Sequence, residues 1–486
     1  MKHRAALSIG FLAFVACGDD APSRPDAAVD AAPVPTLAIA FERGATSEIV
    51  ARITVSSDAT PDVTVAGGVA GPLTAVGSGA FTLAIRPPAG HHSAAVAVTA
   101  KLADVTATRD ALIFEAIDAA WGVPEPVPGL VNNGGWEDSA EVSPDGEWLV
   151  VSSYTPIDLF CCTAALPNVC PAGAFGAAYA ACNTSLGAYA APERPALGGA
   201  ARIVSPTKIM HVAPRLGITT EIPDLAIPPL SSYGFRRQPD GSYAQAFSFT
   251  FETDGAFAPF GVNFVHAPAS DRAEVIFGYG DPRSFNTGVS PSSDVYWLGD
   301  LQLGASSILG TYAITGGEIT ATGFTPTKLA VPESPVVEQG NPMFDGTRLW
   351  FDNDTAAAGV DKAVFFSTLT GVLPTGTWST PVKAGFAQAG VGEFQPFMDG
   401  TRLYFAREFA EVATVDLVGT DPARADAWSA STTVVRPGGA MDNVGDIVTI
   451  GEPSVARIAG ETWLYFVYVV RTPTGLDANV GRIRRE

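Results

Sequence analysis

From Thr36 onward the chain is written in short stretches where apolar and polar residues alternate, the period of a strand with one buried face. TLAIAFE, EIVARITVSS, FTLAIRPP, SAAVAVTAKL and VTATRDALIF follow one another between residues 36 and 113, separated by Gly, Pro and Asp turns. That rhythm predicts an antiparallel two-sheet sandwich. Further along, the alternation returns in a repeated unit. NPMFDGTRLWFDND begins at Asn341 and QPFMDGTRLYFARE at Gln395, so that their Asp-Gly pairs, at Asp345 and Asp399, lie 54 residues apart. EDSAEVSPDGEWLVVSS around Asp145 aligns with both, and GEPSVARIAGETWLYFVY near Gly460 is a degenerate copy. Each reads as a strand, a tight turn whose Gly accepts positive φ, and a second strand. Leu149 and Val151, Leu349 and Phe351, and Leu403 and Phe405 share the same offsets from the turn and are predicted to face one core. Fainter echoes occur at Asp240 and Asp271.

A further strand follows each of two repeats, at TWSTPVKAG (Trp378) and AWSASTTVV (Trp428). A unit of about four strands over 54 to 60 residues is the signature of a β-propeller blade. A third such string, AAWGVPEPVPGL at Trp121, has no repeat ahead of it, while the last repeat, from Glu452 to Glu486, lacks one. Residues 111 to 130 are therefore expected to supply the outer strand of the final blade, hiding both open edges.

Composition agrees with an all-β chain. Fifty Gly and 38 Pro punctuate runs rich in Val, Phe, Thr and Tyr, and 47% hydrophobic residues suffice to fill more than one core. Fifty acidic residues against 29 basic ones give a net charge of -21, which repels a phosphate backbone and argues against nucleic acid as a partner.

The N-terminus points to a compartment. Lys2, His3 and Arg4 precede an apolar run from Ala5 to Ala16, the length of a signal h-region and too short for a membrane-spanning helix. Residues 18 to 35, dominated by Ala, Pro and Asp, form a solvated linker that reaches about 55 Å if extended at roughly 3.1 Å per residue. Four cysteines, Cys161, Cys162, Cys170 and Cys182, fall in one Ala/Gly-rich insertion at about 156–198. In an exported protein such a set reads as two disulfides, with Cys161 and Cys162 each pairing with one of Cys170 and Cys182.

Two resemblances add to this reading. FVAC followed by GDDAPS resembles the lipobox of bacterial lipoproteins, which implies a signal peptide over residues 1–17 and lipidation of Cys17. A modified cysteine with more than one acyl chain anchors stably. SPDGEWLVVSS, FDGTRLWFDND and FMDGTRLYFARE resemble the WD40-like PD40 repeats of TolB-type propellers. That implies a propeller over residues 114–486, with six blades favoured and five or seven open. The module at 36–113 resembles an immunoglobulin-like domain; it lacks the paired cysteines of antibody domains, so the likeness is to bacterial adaptor sandwiches.

Candidate chemistry is confined to carboxylates. Glu137, Asp138, Glu338, Glu393 and Glu452 each stand a few residues ahead of a repeat's turn. Innermost strands line a propeller's channel, so these side chains are expected at one mouth of it. They could cap strands or pair with Arg348, Arg402 or Arg457; they could bind Ca²⁺ or a basic partner. A third reading makes two of them acid and base, for which Asp138 and Glu338 would be the pair. No G-x-S-x-G elbow, P-loop, HExxH or dinucleotide fingerprint is present in the sequence. The sequence thus favours a lipid-anchored envelope protein, at the outer membrane, that binds an envelope protein or an extracellular ligand and carries no cofactor. A glycoside hydrolase or related carbohydrate-active enzyme is the alternative.

Overall fold

The computed structural model describes residues 35–132, 135–156, 207–209, 222–225, 231–253, 260–269, 272–278, 296–303, 307–315, 318–322, 327–332, 339–354, 362–438, 443–473 and 475–486. Cys17, Cys161, Cys162, Cys170, Cys182 and Glu338 lie outside these residues. The protein is all-β, built from several antiparallel sheets.

The first module holds two sheets. One contains Leu37–Arg43, Ile49–Val55, Ala80–Arg86, Val69–Ala70 and Thr74–Gly77; the other contains Asp62–Ala66, Ala94–Leu102 and Val105–Ile113. Strand alternation sends Ile49, Ala51, Ile53 and Val55 from one sheet and Ala94, Val96, Val98 and Ala100 from the other into a single core.

Among the described residues five further runs of consecutive antiparallel strands follow, numbered sheets I to V; I and V join in one hydrogen-bonded sheet where Trp136 pairs with Ala478, and Thr207–Ile209 with Ile222–Leu225 forms a separate two-stranded sheet. Sheet I runs Gly135–Val142, Trp148–Pro156, Ser231–Arg237, Tyr243–Thr253, and sheet II runs Phe260–Phe264, Arg272–Gly278, Tyr296–Gln302, Thr327–Lys328. Sheet III contains Gln339–Phe344, Arg348–Asp354 and Lys362–Thr370, edged by the short strands Thr377–Trp378 and Val382–Lys383. Sheet IV contains Glu393–Asp399, Arg402–Arg407, Glu411–Asp416 and Thr432–Arg436; sheet V contains Ile447–Ile458, Glu461–Thr472 and Gly475–Arg484.

The repeat explains the shared plan. Gly146, Gly346, Gly400 and Gly460 all have positive φ, from 66° to 91°, at the turn between first and second strands. Leu149, Val151, Leu349, Phe351, Leu403 and Phe405 are all fully buried, as their common offset predicted.

Successive sheets share cores. Trp148 and Val150 of sheet I pack with Phe264 and Val275 of sheet II, and Ile276 and Leu298 of sheet II pack with Leu349 and Phe351 of sheet III. Trp350 of sheet III, Tyr404 of sheet IV and Phe466 of sheet V lie in one cluster, while Tyr465 of sheet V meets Leu149 of sheet I in another. The first strand of each sheet touches that of the next, and the first strand of sheet V touches that of sheet I, so the succession returns to its start.

The segment between the two-sheet module and sheet I completes two edges at once. Ala116–Ile117 pairs with the last strand of sheet IV, and Glu125–Pro126 pairs with Gly475–Arg484 of sheet V. Between them Trp121 bridges Arg485, and the Gly122 amide donates to the Arg484 carbonyl at 2.9 Å. Arg482 holds Glu125 through two bonds of 2.8 and 3.0 Å. The segment carrying Trp121 therefore lies beside the C-terminal strands, as the order of the repeats predicted, and it also serves sheet IV.

Candidate functional site

The five first strands meet around a cavity of about 40 Å³, room for a few waters at most. Each strand reaches it at an equivalent residue held in the left-handed region: Ser139 (φ 53°), Gly261 (59°), Asn341 (45°), Gln395 (55°) and Glu452 (52°). In sheets II to V an extra residue enters the first strand at this point, shifting its register against the second strand. Four of the five are not glycine, and a left-handed L-residue costs about 1–2 kcal/mol. Surrounding structure must hold each of them in place.

A belt of hydrogen bonds does so by joining each first strand to the next. Asn263 Nδ2 of sheet II donates to Glu141 Oε1 of sheet I at 2.8 Å, and Asn263 Oδ1 accepts from the Phe344 amide of sheet III at 3.0 Å. Asp352 Oδ2, buried in sheet III, accepts from Asn341 Nδ2 at 2.6 Å and from the Gln395 amide of sheet IV at 3.0 Å. Gln395 then turns to sheet V: its Oε1 accepts from the Glu452 amide at 2.9 Å, and its Nε2 donates to Glu452 Oε1 at 3.2 Å. Glu452 Oε2 accepts from the Ala140 amide of sheet I at 3.3 Å, and Ser454 Oγ accepts from the Val142 amide at 3.0 Å.

Two carboxyls in the belt have displaced titrations. Burial pushes Glu141 well above the usual carboxylate range, opposed by its bond from Asn263. Glu452 is also pushed well above that range, first by burial of its carboxyl and then by the charge and hydrogen bond of neighbouring Asp138, against the lowering effect of the Ser139 and Ala140 amides.

The other candidate carboxylates go elsewhere. Glu393 is fully buried away from the cavity, accepting from the Gln388 amide at 3.0 Å and pairing with Arg407 at 3.4 Å; burial still raises it, more than those two lower it. Glu137 is fully buried too, close enough to Tyr468 of sheet V to raise that phenol after burial and Asp477. Of the described candidates, Glu452 lines the cavity and Glu393 turns instead to Arg407 of its own sheet. Arg348, Arg402 and Arg457, offered as partners for these carboxylates, instead pair with Asp345, Asp416 and Asp399.

Sequence reasoning missed Glu141, Asn263, Asn341, Asp352 and Gln395. One signal was available: Asn341, Gln395 and Glu452 each precede a proline, a polar-Pro pair recurring in three repeats. Among the described residues no cluster of three His, Cys, Asp or Glu side chains is placed to hold a metal ion.

No family model matches the chain, and no curated protein matches it.

Proposed function

We propose that the chain is an exported lipoprotein of the cell envelope: an immunoglobulin-like sandwich followed by a five-bladed PD40-type propeller that serves as a binding platform for an envelope protein or an extracellular ligand. The cyclic contact of five first strands supports the propeller, with sheets I to V as its blades. The lipobox-like FVAC and the linker after it support an anchor at Cys17 and a folded body standing off the membrane. The net charge of -21 favours partners other than nucleic acid.

One observation carries the choice of platform over enzyme. The polar groups lining the cavity of about 40 Å³ are hydrogen-bonded to one another across the blades. The residues lining it include Phe397 and Met343 but neither Trp nor Tyr. A glycosidase needs two free carboxyls several ångströms apart in an open cleft.

Full-length protein, photo-cross-linkable at exposed Ala389 or Thr347, would test this in intact envelopes. A binding platform yields a discrete cross-linked species from one of these two positions and no hydrolysis of aryl glycosides. Turnover of aryl glycosides that disappears in Glu452→Gln would overturn the reading in favour of the hydrolase.

A further inference from the structure

The two-sheet module grips sheet V at its innermost strand. A turn at 88–93, closed by the His91 amide on the Pro88 carbonyl, lies against the residues that lead into Ile447–Ile458. Ser93 Oγ, fully buried, accepts from the Ile447 amide at 2.9 Å. His91 Nδ1 donates to Asp446 Oδ1 at 2.8 Å, and Asn443 Nδ2 donates to Asp446 Oδ2 and to the Gly90 carbonyl, both at 3.1 Å. Asp446 has no exposed surface, so bonds such as these stand in for the water its carboxylate has lost. The bond from His91 crosses from one module to the other.

The same strand carries Glu452 to the central cavity, about 20 Å beyond Asp446 at roughly 3.3 Å per residue. Between these points its ladder to Glu461–Thr472 shifts register twice, between Ile447 and Thr449 and between Gly451 and Ser454. A strand interrupted in this way is held less firmly by its own neighbour, and its course depends on grips from outside the sheet. These follow one another along it. The 88–93 turn holds its entry; the Phe409 carbonyl of sheet IV then accepts from Thr449 Oγ1 at 2.8 Å and from the Ile450 amide at 3.0 Å; and Gln395 Oε1 accepts from the Glu452 amide at 2.9 Å.

We propose that the two-sheet module is a coupling arm for the central cavity. Seated, its 88–93 turn holds the course of the first strand of sheet V and with it the position of Glu452. Displaced, it releases that strand and loosens the belt where Glu452 meets Gln395 and Ala140. The inference concerns the path of one strand and is independent of what the protein binds. Other contacts seat the arm. Leu112 and Phe114, where the module's last strand ends, enter the same core cluster as Phe466 of sheet V, and Arg43 donates to the carbonyls of Asp118 and Trp121 at 2.7 and 3.1 Å. Whatever moves the module against the sheets is therefore felt at the cavity, and by reciprocity an occupant that reorders the belt bears on the module.

Hydrogen exchange on the full chain, followed by mass spectrometry, tests the arm. His91→Ala and Ser93→Ala each remove a side-chain hold on the strand. Exchange over 447–455 is expected to quicken about tenfold for His91→Ala, whose partner is a buried carboxylate, and about threefold for Ser93→Ala, whose partner is a backbone amide. Exchange over 402–407 in sheet IV should stay as in the wild type. His92→Ala, whose exposed ring lies 3.7 Å from Glu115, should leave 447–455 unchanged. Faster exchange that stops at 447–448 and leaves 450–453 as in the wild type overturns the proposal. Equal quickening over 402–407 overturns it too, since the whole body would then be loosening. If neither variant folds, Gln395→Ala reads the coupling from the other end: exchange over 443–448 should rise, and wild-type exchange there overturns the proposal.

Discussion

Trp350 offers the sharpest test of how the sheets hold one another. Its indole is fully buried in sheet III, 5.1 Å from the Phe366 ring and 6.0 Å, edge to face, from Trp428, which leads into the last strand of sheet IV. Its Nε1 donates to Asp345 Oδ2 at 2.7 Å. Truncating a core Trp to Ala costs about 3–5 kcal/mol through lost transfer energy and the cavity left behind. Losing the bond to Asp345 adds about 1 kcal/mol, since that carboxylate keeps the Thr347 and Arg348 amides. Trp350→Ala is therefore expected to lose about 4–6 kcal/mol, and Trp350→Phe roughly 1.5–3 kcal/mol, because most of the apolar volume remains. The edge-to-face contact predicts more than two independent losses. In a cycle with Trp428→Ala, the two substitutions should couple by about 0.5–1.5 kcal/mol. Urea unfolding of all four proteins at constant m gives each term. A loss under about 2 kcal/mol for Trp350→Ala, or additivity within about 0.3 kcal/mol, would refute this packing between sheets III and IV.

Three other changes have defined outcomes. Gly385→Ala places a methyl 2.3 Å from the backbone carbon of Arg424, so a thermal melt should show a loss of about 2 kcal/mol; an unchanged melting temperature would contradict the approach of those two loops. Arg482→Ala removes the two-bond clamp on Glu125, which keeps Arg109 at 3.1 Å, with an expected loss of about 3 kcal/mol by denaturant unfolding. Glu125→Ala should cost a similar amount, and the double variant less than the sum of the two, since both remove the shared pair. Cys17→Ser should move the protein from the membrane fraction to the soluble fraction; retention with the membrane would sink the proposed anchor.

How much of this was legible in the sequence depends on the range of the forces involved. The turns were legible because Asp-Gly encodes a local backbone preference, and positive φ at Gly146, Gly346 and Gly400 meets it. The inward residues were legible because strand period fixes which side chains share a face, as Leu349 and Phe351 show. Even the pairing of residues near Trp121 with the C-terminal strand followed from counting strings. The central belt was less accessible. Glu452 and Glu393 occupy comparable places ahead of their turns, yet one meets Asp138 of another sheet and the other meets Arg407 of its own. That difference arises from the extra residue in the first strands, which turns Gln395 and Glu452, but not Glu393, toward the cavity. Sequence alternation alone places all three on equal terms. Sheet number was similarly obscured, because the repeats between residues 200 and 330 are eroded to faint echoes of the turn.

The strap formed by residues 116–126 has a consequence for biosynthesis. Glu125 waits for Arg482, 357 residues downstream, before its edge is closed. The two-sheet module, whose core draws on residues 37 to 123, can consolidate as soon as it emerges, whereas the body behind it stays unsealed until the final dozen residues arrive. The last edge of the larger part therefore closes only after the C-terminal strand has been made. It also means that a stop codon before Gly481 would leave Glu125–Pro126 without its pairing strand, while Ala116–Ile117 keeps its place on sheet IV.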